Sequence, residues 1–264
     1  MIGAIIGNII GSRFDSKHQP SRNFDLFTGN CTYTDATICT VAFADAILNA
    51  RSYQDSLLDW CKRYPCPQGG YSSNMQKWLD SPKHLPYNSF GCGSAMRISP
   101  IGWLFNDYDK ILDESRLSAE ITHNHSEVIK GAQCIATLIY WLRTCRVTKE
   151  KIENAVKRNF GYRIDRLSDI YKIGSEGHID DICQETVPYA ISCFLESDSF
   201  EEAIRIAVAA GGNIDTKASI VGAISEAYYE IPEDMVKKAC SYLPDDMVNI
   251  IEQSCSYISH ELKD

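Results

Sequence analysis

The chain opens with "MIGAIIGNIIGSRF" (residues 1–14), an apolar stretch with a glycine at every fourth position. Gly3, Gly7 and Gly11 share one face of an α-helix, because residues four apart lie above one another on a helix. A face without side chains allows a second helix to pack very close to it. We therefore expect an N-terminal helix that is buried at the centre of a helical bundle.

The other apolar patterns along the chain also have the period of an α-helix. They are clearest at 38–48, 135–142 and 200–207, where apolar residues recur mainly at intervals of three and four. No segment alternates β-branched residues between hairpin turns. The proline-containing segments 64–71 and 81–93 are short enough to be loops between helices. The sequence predicts an all-α fold.

Composition limits the class of protein. With 44% hydrophobic residues among 264, the chain can bury one continuous core, and we expect a single domain over residues 1–264. A net charge of −9 without a Lys/Arg cluster excludes a surface that coats nucleic acid. Eleven cysteines without a CxxC pair favour reduced core thiols over a zinc or redox motif. The apolar start is too short to span a bilayer and lacks the basic region of a signal peptide, so we predict a cytoplasmic protein without a membrane segment.

Two loop-to-helix junctions place Asp and Thr oxygens at the start of an apolar helix. The motif "YTDAT" contains Thr34 and Asp35, and the motif "GGNIDT" contains Asn213, Asp215 and Thr216. Thr and Asp are common N-caps, so each junction can be an ordinary cap. If the two helix starts face each other, the same oxygens form a cage that suits Mg²⁺ or Mn²⁺. Their spacing in the sequence leaves both interpretations open.

Two further motifs are candidates for ligand contacts. In "YNSFGCGSAMRISPIG" (87–102), a loop bracketed by glycines runs into a helix at about Ser94, where free N–H groups and the helix dipole favour phosphate. A plain tight turn is the alternative, with Arg97 as a phosphate partner or a surface residue. The motif "THNH" holds His123 and His125, but no further Cys or His lies at zinc-site spacing. A ligand contact, or a helix cap followed by an incidental histidine, is the favoured interpretation.

Taken in order, the motifs GAIIGNIIGSRFD, YTDAT, YNSFGCGSAMR, THNHSEVIKGAQ and GGNIDT, the last followed by VGAISEAYYEIP, resemble the ADP-ribosylglycohydrolase family. The match runs from about residue 2 to residue 243. The resemblance implies an all-α globule with a pair of divalent cations, Mg²⁺ or Mn²⁺, in a central cleft. It also implies a hydrolase that releases ADP-ribose from a modified protein side chain or from a small ADP-ribosyl compound.

The resemblance also implies a metal site. In that family the metal-binding patterns read TDDT and GGDTDT or GGDSDT, with a further Glu at the end of the first motif. Here Asp15 takes the place of that Glu, while Ala36 and Asn213 each take the place of an Asp, and Asp15 and Asp35 become the candidate catalytic carboxylates. The positions that match metal ligands unchanged are Thr34, Asp35, Asp215 and Thr216.

The glycine loop and the histidine motif correspond to the family's substrate site. Gly91, Gly93 and Ser94 match the segment that holds the diphosphate, and Cys92 replaces a usual Asn there. His123 matches a residue that lines the ribose side. The resemblance therefore implies ADP-ribose, free or attached to an acceptor, as the ligand.

The replaced acids lead us to expect weak activity. Two cations carry four positive charges and need about four carboxylates, but only Asp15, Asp35 and Asp215 remain. Losing one partner of a close charge pair commonly costs about 2–5 kcal/mol, and each ~1.4 kcal/mol is a tenfold change in affinity. Ala36 alone would then weaken one metal site by about thirtyfold or more, and Asn213 would weaken it further.

The competing interpretation is an inactive relative or a substrate-trapping variant that binds ADP-ribose without cleaving it. Ala36 fits a deliberate substitution of one acid, whereas Ala36 together with Cys92 and Asn213 fits natural drift of the site. Protection against an ADP-ribosylating toxin is a biological context for either interpretation. The sequence does not distinguish these cases.

Overall fold

The computed structural model describes residues 1–14, 20–145, 147–175 and 182–261. Apart from three isolated bridges, the regular structure in these ranges is helical, and the predicted all-α fold is confirmed. In chain order the helices are α1 (Ile2–Gly11), α2 (Asp35–Leu48), α3 (Tyr53–Arg63), α4 (Ser73–Asp80), α5 (Gly93–Met96), α6 (Ser99–Leu104), α7 (Tyr108–Glu120), α8 (Ser126–Cys145), α9 (Lys149–Phe160), α10 (Leu167–Ser175), α11 (Cys183–Leu195), α12 (Phe200–Ala209), α13 (Ile214–Glu226), α14 (Glu233–Cys240) and α15 (Asp245–Glu261).

The glycine face of α1 is the closest helix contact of the fold. α1 is buried along its whole length and runs antiparallel against α13. A Cβ atom at Gly7 would overlap the carbonyl oxygen of Ala218, and one at Gly11 would lie 2.7 Å from the Cα atom of Asp215. The predicted buried N-terminal helix is confirmed. Its packing brings the end of α1 directly against the start of α13.

The helical patterns in the sequence correspond to helices of the structure. The patterns at 38–48, 135–142 and 200–207 lie in α2, α8 and α12. The proline-containing segments connect α3 to α4 and α4 to α5, as expected of loops. α2 packs mainly against α3, and α8 packs against α6 and α7. The buried apolar residues of these helices form one cluster.

Isolated β-bridges tie loops to the residues that precede three helices. The segment before α2 is bridged to the loop after α3, and the segments before α8 and α11 are bridged to the loop after α4. The starts of three helices are thereby held around two loops. The bridged pairs are Thr34 with Gln68, Tyr87 with His123, and Gly91 with Ile182.

The cysteines and the helix lengths bear on two sequence predictions. All eleven cysteines are free thiols, and seven of them are buried, as expected of reduced core thiols. The other four lie at or near the surface. In the part of the chain that the structure describes, no helix is both long enough and apolar enough to cross a membrane.

Candidate active site

The start of α2 is held by a buried asparagine from α1. The Nδ2 atom of Asn8 donates to Thr34 Oγ1 at 2.7 Å, and Asn8 Oδ1 accepts from the Thr34 amide at 3.0 Å and from Thr37 Oγ1 at 2.7 Å. Thr34 is the N-cap of α2, with its hydroxyl accepting from the Ala36 amide at 3.4 Å. Asp35 therefore begins α2 between two residues whose backbone amides are hydrogen-bonded, Thr34 to Asn8 and Ala36 to the Thr34 hydroxyl.

Asn8 is a site residue that our sequence analysis missed. It is fully buried, at 0% exposure, in a helix whose other members are glycine or apolar residues. A buried amide must find hydrogen-bond partners or lose stability. The lone Asn inside GAIIGNIIG therefore indicated that a polar partner packs against this helix. The sequence alone did not identify that partner as the start of α2.

The starts of α2 and α13 meet. Thr34 Oγ1 donates to Asp215 Oδ2 at 2.8 Å, across 181 positions of sequence. Gly211 and Gly212 have φ values of 75° and 74°, a conformation that favours glycine and turns the chain into α13. Asn213 is the N-cap of α13 and makes no side-chain cap bond, so Asp215 lies in the first turn and is not itself the cap.

A single cavity is lined by all five residues that the sequence singled out at the two junctions. It is bounded on the far side by Ser12, Phe14 and the loop from Gln68 to Ser72. Asp15, the predicted counterpart of the family's Glu, follows Phe14 in the chain but lies outside the described residues. The five junction residues on the cavity wall are Thr34, Asp35, Asn213, Asp215 and Thr216.

Asp35 is electrostatically strained in this position. Burial and, second, the negative charge of Asp215 raise the pKa of Asp35 to about 7. The amide of Ala36, the Thr34 hydroxyl and the positive charge of Arg97 act in the opposite direction but do not cancel this effect. Carboxylates with strongly shifted pKa values are concentrated at functional sites. A cation between Asp35 and Asp215 would offset the repulsion between the two carboxylates, which is the second cause of the shift.

The donor set suits one hard divalent cation. Asp35 and Asp215 provide two carboxylates, which balance a charge of +2, and Asn213 and Thr216 add neutral oxygens on the same wall. The Thr34 hydroxyl already accepts from two groups and donates to Asp215, so it would have to exchange a bond to reach a cation. Among the described residues, no group of three or more His, Cys, Asp or Glu side chains is placed to hold a metal ion.

A second cavity adjoins the first and shares Asp35, Ser72, Asn213 and Thr216 with it. The predicted diphosphate loop contributes its glycines and Cys92 to this second cavity, and the opposite wall is formed by residues 72–75 at the start of α4. The acidic junctions and the glycine loop therefore open into one continuous cleft. The loop and histidine residues on its wall are Tyr87, Ser89, Gly91, Cys92, Gly93 and His123.

Part of the predicted phosphate seat differs from expectation. α5 begins at Gly93 and has only four residues, so its dipole is small. Ser94 is buried and its hydroxyl donates to the Val128 carbonyl oxygen at 3.2 Å, so its side chain is turned away from the cleft. The Gly91 amide donates to the Ser89 hydroxyl at 3.0 Å. The loop backbone lines the cleft without a long helix behind it.

His123 is held as a neutral imidazole. Burial and the nearby charge of Arg97 lower its pKa to about 3. Its ring lies edge-on to Tyr87 with the centroids 4.8 Å apart, and a Cβ atom at Gly93 would come within 2.9 Å of His123 Cε1. His125 is turned elsewhere, because its Nδ1 accepts from the Glu127 amide at 3.2 Å at the start of α8.

Arg97 is not a surface residue, so that alternative is wrong. Its side chain is 1% exposed, lies 4.8 Å from the ring centroid of Phe43, and donates to Thr122 Oγ1. One face of Arg97 borders the cleft. Its charge therefore acts inside the site, on both Asp35 and His123.

With this geometry in place, comparison with known proteins assigns the family. The sequence profile of the family named ADP-ribosylglycohydrolase matches residues 1–261. The chain belongs to the ADP-ribosylglycohydrolase family. It is accordingly a glycosyl hydrolase of the kind that removes ADP-ribose, as the motifs of the sequence implied.

Individual relatives of this ADP-ribosylglycohydrolase agree with the assignment. An uncharacterized protein of Archaeoglobus fulgidus is 30% identical over 245 aligned positions, covering 81% of this chain and 77% of that protein. Human ADP-ribosylhydrolase ARH3 is 22% identical over 328 positions, covering 94% of this chain and 90% of its own. A solved structure described as an ADP-ribosylglycohydrolase-related protein complex superposes with a TM-score of 0.66 at 19% identity, covering 97% and 95% of the two chains, and supports the fold.

Proposed function

We propose that this ADP-ribosylglycohydrolase cleaves the bond between ADP-ribose and an acceptor in the cleft between α2, α13 and the glycine loop. The acceptor is a modified protein side chain or a small molecule, and the reaction takes place in the cytoplasm. The observation that carries the proposal is the hydrogen bond from Thr34 Oγ1 to Asp215 Oδ2, which joins two acidic helix starts beside the cavity of His123. The family assignment supports the same chemistry.

The proposal includes one bound Mg²⁺ or Mn²⁺. Asp35, Asp215, Asn213 and Thr216 would hold it, with Thr34 as a further oxygen donor after exchange of one hydrogen bond. When bound, such a cation orients the ribose hydroxyls and lowers the pKa of a water molecule. The two carboxylates and the hard oxygen donors support Mg²⁺ or Mn²⁺ over a softer ion.

The side chains of the cleft supply the remaining steps. Asp35 would take the proton of the attacking water, because its carboxylate lies on the wall that the two cavities share. Asp15 is our proposed second catalytic carboxylate. The backbone of Gly91, Cys92 and Gly93 would bind the diphosphate, and the glycines permit close approach.

We further propose that the activity is weak. Ala36, which is 0% exposed, takes the sequence position of a family carboxylate, and Asn213 offers a neutral amide on the cavity wall. The two carboxylates of the described cavity balance one cation, whereas two cations would leave excess positive charge in a partly buried site. A binding module without catalysis is the second candidate, and the missing acids are the observation that favours it.

The first experiment measures cleavage and binding together. ADP-ribosylated serine and arginine peptides are incubated with the chain, with Mg²⁺ or Mn²⁺ or with a chelator, and ADP-ribose is titrated in parallel by calorimetry. We expect slow, cation-dependent release of ADP-ribose that is abolished in Asp35→Asn. Release of ADP-ribose that is unchanged by the chelator would contradict a role for the cation. If the chain binds ADP-ribose but releases none from the peptides, even after Ala36→Asp and Asn213→Asp, the binding module would be the correct interpretation.

A further inference from the structure

A chain of three buried side chains runs from the protein interior to the cleft. Arg97 Nη2 donates to Thr122 Oγ1, and Thr122 Oγ1 lies 2.8 Å from Nδ1 of His123. The exposures of the three side chains are 1%, 0% and 6%. Only His123, at the end of the chain, and one face of Arg97 border the cleft. Such buried polar chains are sensitive to the direction of each hydrogen bond.

The direction of the bonds follows from the donors. A guanidinium has donors and no acceptor, so the Thr122 oxygen accepts from Arg97. The hydroxyl then has one proton to donate, and two acceptors compete for it, the Nδ1 atom of His123 and the phenol oxygen of Tyr87. A bare imidazole nitrogen is a stronger acceptor than a phenol oxygen, which favours donation to His123 over donation to Tyr87.

A neutral histidine that accepts at Nδ1 carries its own proton on Nε2. The ring edge formed by Cε1 and Nε2 faces the glycine loop, since a Cβ atom at Gly93 would lie 2.9 Å from Cε1 and 3.1 Å from Nε2, against 3.9 Å from Nδ1. Tyr87 holds the ring from its edge, and the His123 amide donates to the Ala119 carbonyl oxygen at 2.8 Å. The ring therefore has little freedom to flip and exchange its two nitrogens.

We propose that Arg97 and Thr122 are positioning residues that hold His123 in the Nε2–H tautomer, so that His123 donates a hydrogen bond to an oxygen of ADP-ribose. The inference rests on the proposed function, because it takes ADP-ribose as the ligand of the cleft. Diphosphate oxygens only accept, and a bare Nε2 atom facing them would repel them. The low pKa of His123 keeps the ring neutral, so its single proton decides whether it donates.

The tautomer is measured directly in the full chain. Protein labelled with ¹⁵N-histidine has six histidines, and His123 is assigned by the signals that are lost in His123→Gln. Long-range ¹H–¹⁵N spectra distinguish the protonated from the bare nitrogen. We expect the proton on Nε2 in the parent chain and in Thr122→Ser, a shift toward Nδ1–H in Thr122→Val, and no change in Tyr87→Phe.

Binding is measured on the same variants by titration with ADP-ribose. We expect about tenfold weaker binding in Thr122→Val, which corresponds to one lost hydrogen bond to a charged group. Thr122→Ser should bind within about twofold of the parent. His123→Gln keeps an N–H donor near the Nε2 position and should bind more tightly than His123→Leu. Melting curves of each variant show whether a loss of binding reflects unfolding.

The outcomes separate the inference from the proposed function. Nδ1–H in the parent chain, or a tautomer that Thr122→Val leaves unchanged, would overturn the positioning role even if ADP-ribose binds. If the parent chain has the proton on Nε2 but does not bind ADP-ribose, the proposed ligand and the donor role of His123 are both refuted. Only the assignment of the tautomer would then stand. If Thr122→Val unfolds, an unchanged tautomer and affinity in Arg97→Met, which has no hydrogen-bond donor, would count against the positioning role of Arg97 and Thr122.

Discussion

The two ends of α2 each hold an aspartate, and the protein treats them in opposite ways. Asp45 accepts from Trp60 Nε1 at 3.0 Å, from Ser56 Oγ at 2.9 Å and from Arg51 Nη1 at 2.7 Å. Despite its burial, these bonds and one from Asn49 hold its pKa below the usual value. Asp35 lies beside another carboxylate instead, and its pKa is raised to about 7.

The difference shows which carboxylate is stabilised in its charged form by its surroundings and which is destabilised. Hydrogen bonds to the charged form stabilise an anion, while burial beside a like charge destabilises it. The folded state therefore stabilises the charged form of Asp45 and destabilises the charged form of Asp35. Destabilised charges are concentrated at functional sites, so the comparison points to Asp35 as the functional carboxylate and to Asp45 as a structural residue.

The largest expected effect comes from replacing Asp45, near the C-terminal end of α2. Asp45→Asn should reduce the free energy of unfolding by about 2–3 kcal/mol at pH 7, because several buried donors lose a charged acceptor. A lowered pKa in the folded state contributes stability above the unfolded pKa, and this contribution is lost as the pH falls through the folded value. The parent's advantage over Asp45→Asn should therefore shrink below about pH 4.

Urea titrations at pH 7 and at pH 3 to 4 measure this effect. Asp80→Asn is the matched control, because Asp80 is exposed and accepts only from Gln76 on its own helix. We expect a change under about 0.5 kcal/mol for that control. Equal losses in the two variants would show that the hydrogen bonds of Asp45 do not stabilise its anion.

The second expected effect is on metal affinity at the N-terminal end of α2, near Asp35. Ala36→Asp combined with Asn213→Asp should tighten Mn²⁺ binding by about thirtyfold or more, because two added carboxylates increase the negative charge around the cavity. Calorimetric titration with Mn²⁺ measures the change. Ala36→Asn, which adds similar volume without charge, should leave the affinity within about threefold of the parent. An increase in that control would attribute the gain to shape and not to charge.

A third effect comes from removing the strained charge. A raised folded pKa means that the native state holds its proton more tightly than the unfolded chain, so apo-protein stability falls as pH rises from about 4 to about 7. Asp35→Asn should relieve this and stabilise the chelator-treated protein by at least about 1 kcal/mol at pH 8, with no gain at pH 4. Melting curves at both pH values measure it, with the exposed Asp198→Asn as the control. Stabilisation that is equal at both pH values would point to packing as the cause.

The smallest expected effect is at the start of α13. Asn213→Ala should change the free energy of unfolding by under about 0.5 kcal/mol, because Asn213 makes no side-chain cap bond. Thr34→Ala should cost about 2 kcal/mol, since it removes an N-cap that also bonds Asn8 and Asp215. Urea titrations of both variants test the contrast. A loss in Asn213→Ala as large as that in Thr34→Ala would mean that both helix starts are equally fixed.

The sequence was informative wherever a short segment determines its own structure. The glycine spacing of α1 predicted a buried helix, and the structure confirms it with close contacts to α13. The order of the motifs predicted the family, which the profile match confirms. The roles of the site residues and the single domain stay predictions. Local patterns work here because helical period and capping depend on residues within a few positions of each other.

The sequence was less informative where a side chain's partner lies far along the chain. Arg97 was compatible with the surface, yet it is buried under Thr122 and Phe43. Ser94 matched a ligand-binding motif, yet its hydroxyl bonds to Val128. In both cases the hydrogen-bond partner lies at least 25 positions away in the sequence, so tertiary packing sets the direction of the side chain.

By itself, the sequence determined the helices, the glycine face and the presence of an acidic first turn in α2 and in α13. The tertiary structure decided that the two turns meet, because Thr34 and Asp215 lie 181 positions apart and come together in a fold in which α1 contacts both of their helices. It also decided that Asp35 is strained while Asp45 is satisfied. A carboxylate's free energy depends on the dipoles and charges within a few ångströms, and packing places those groups there.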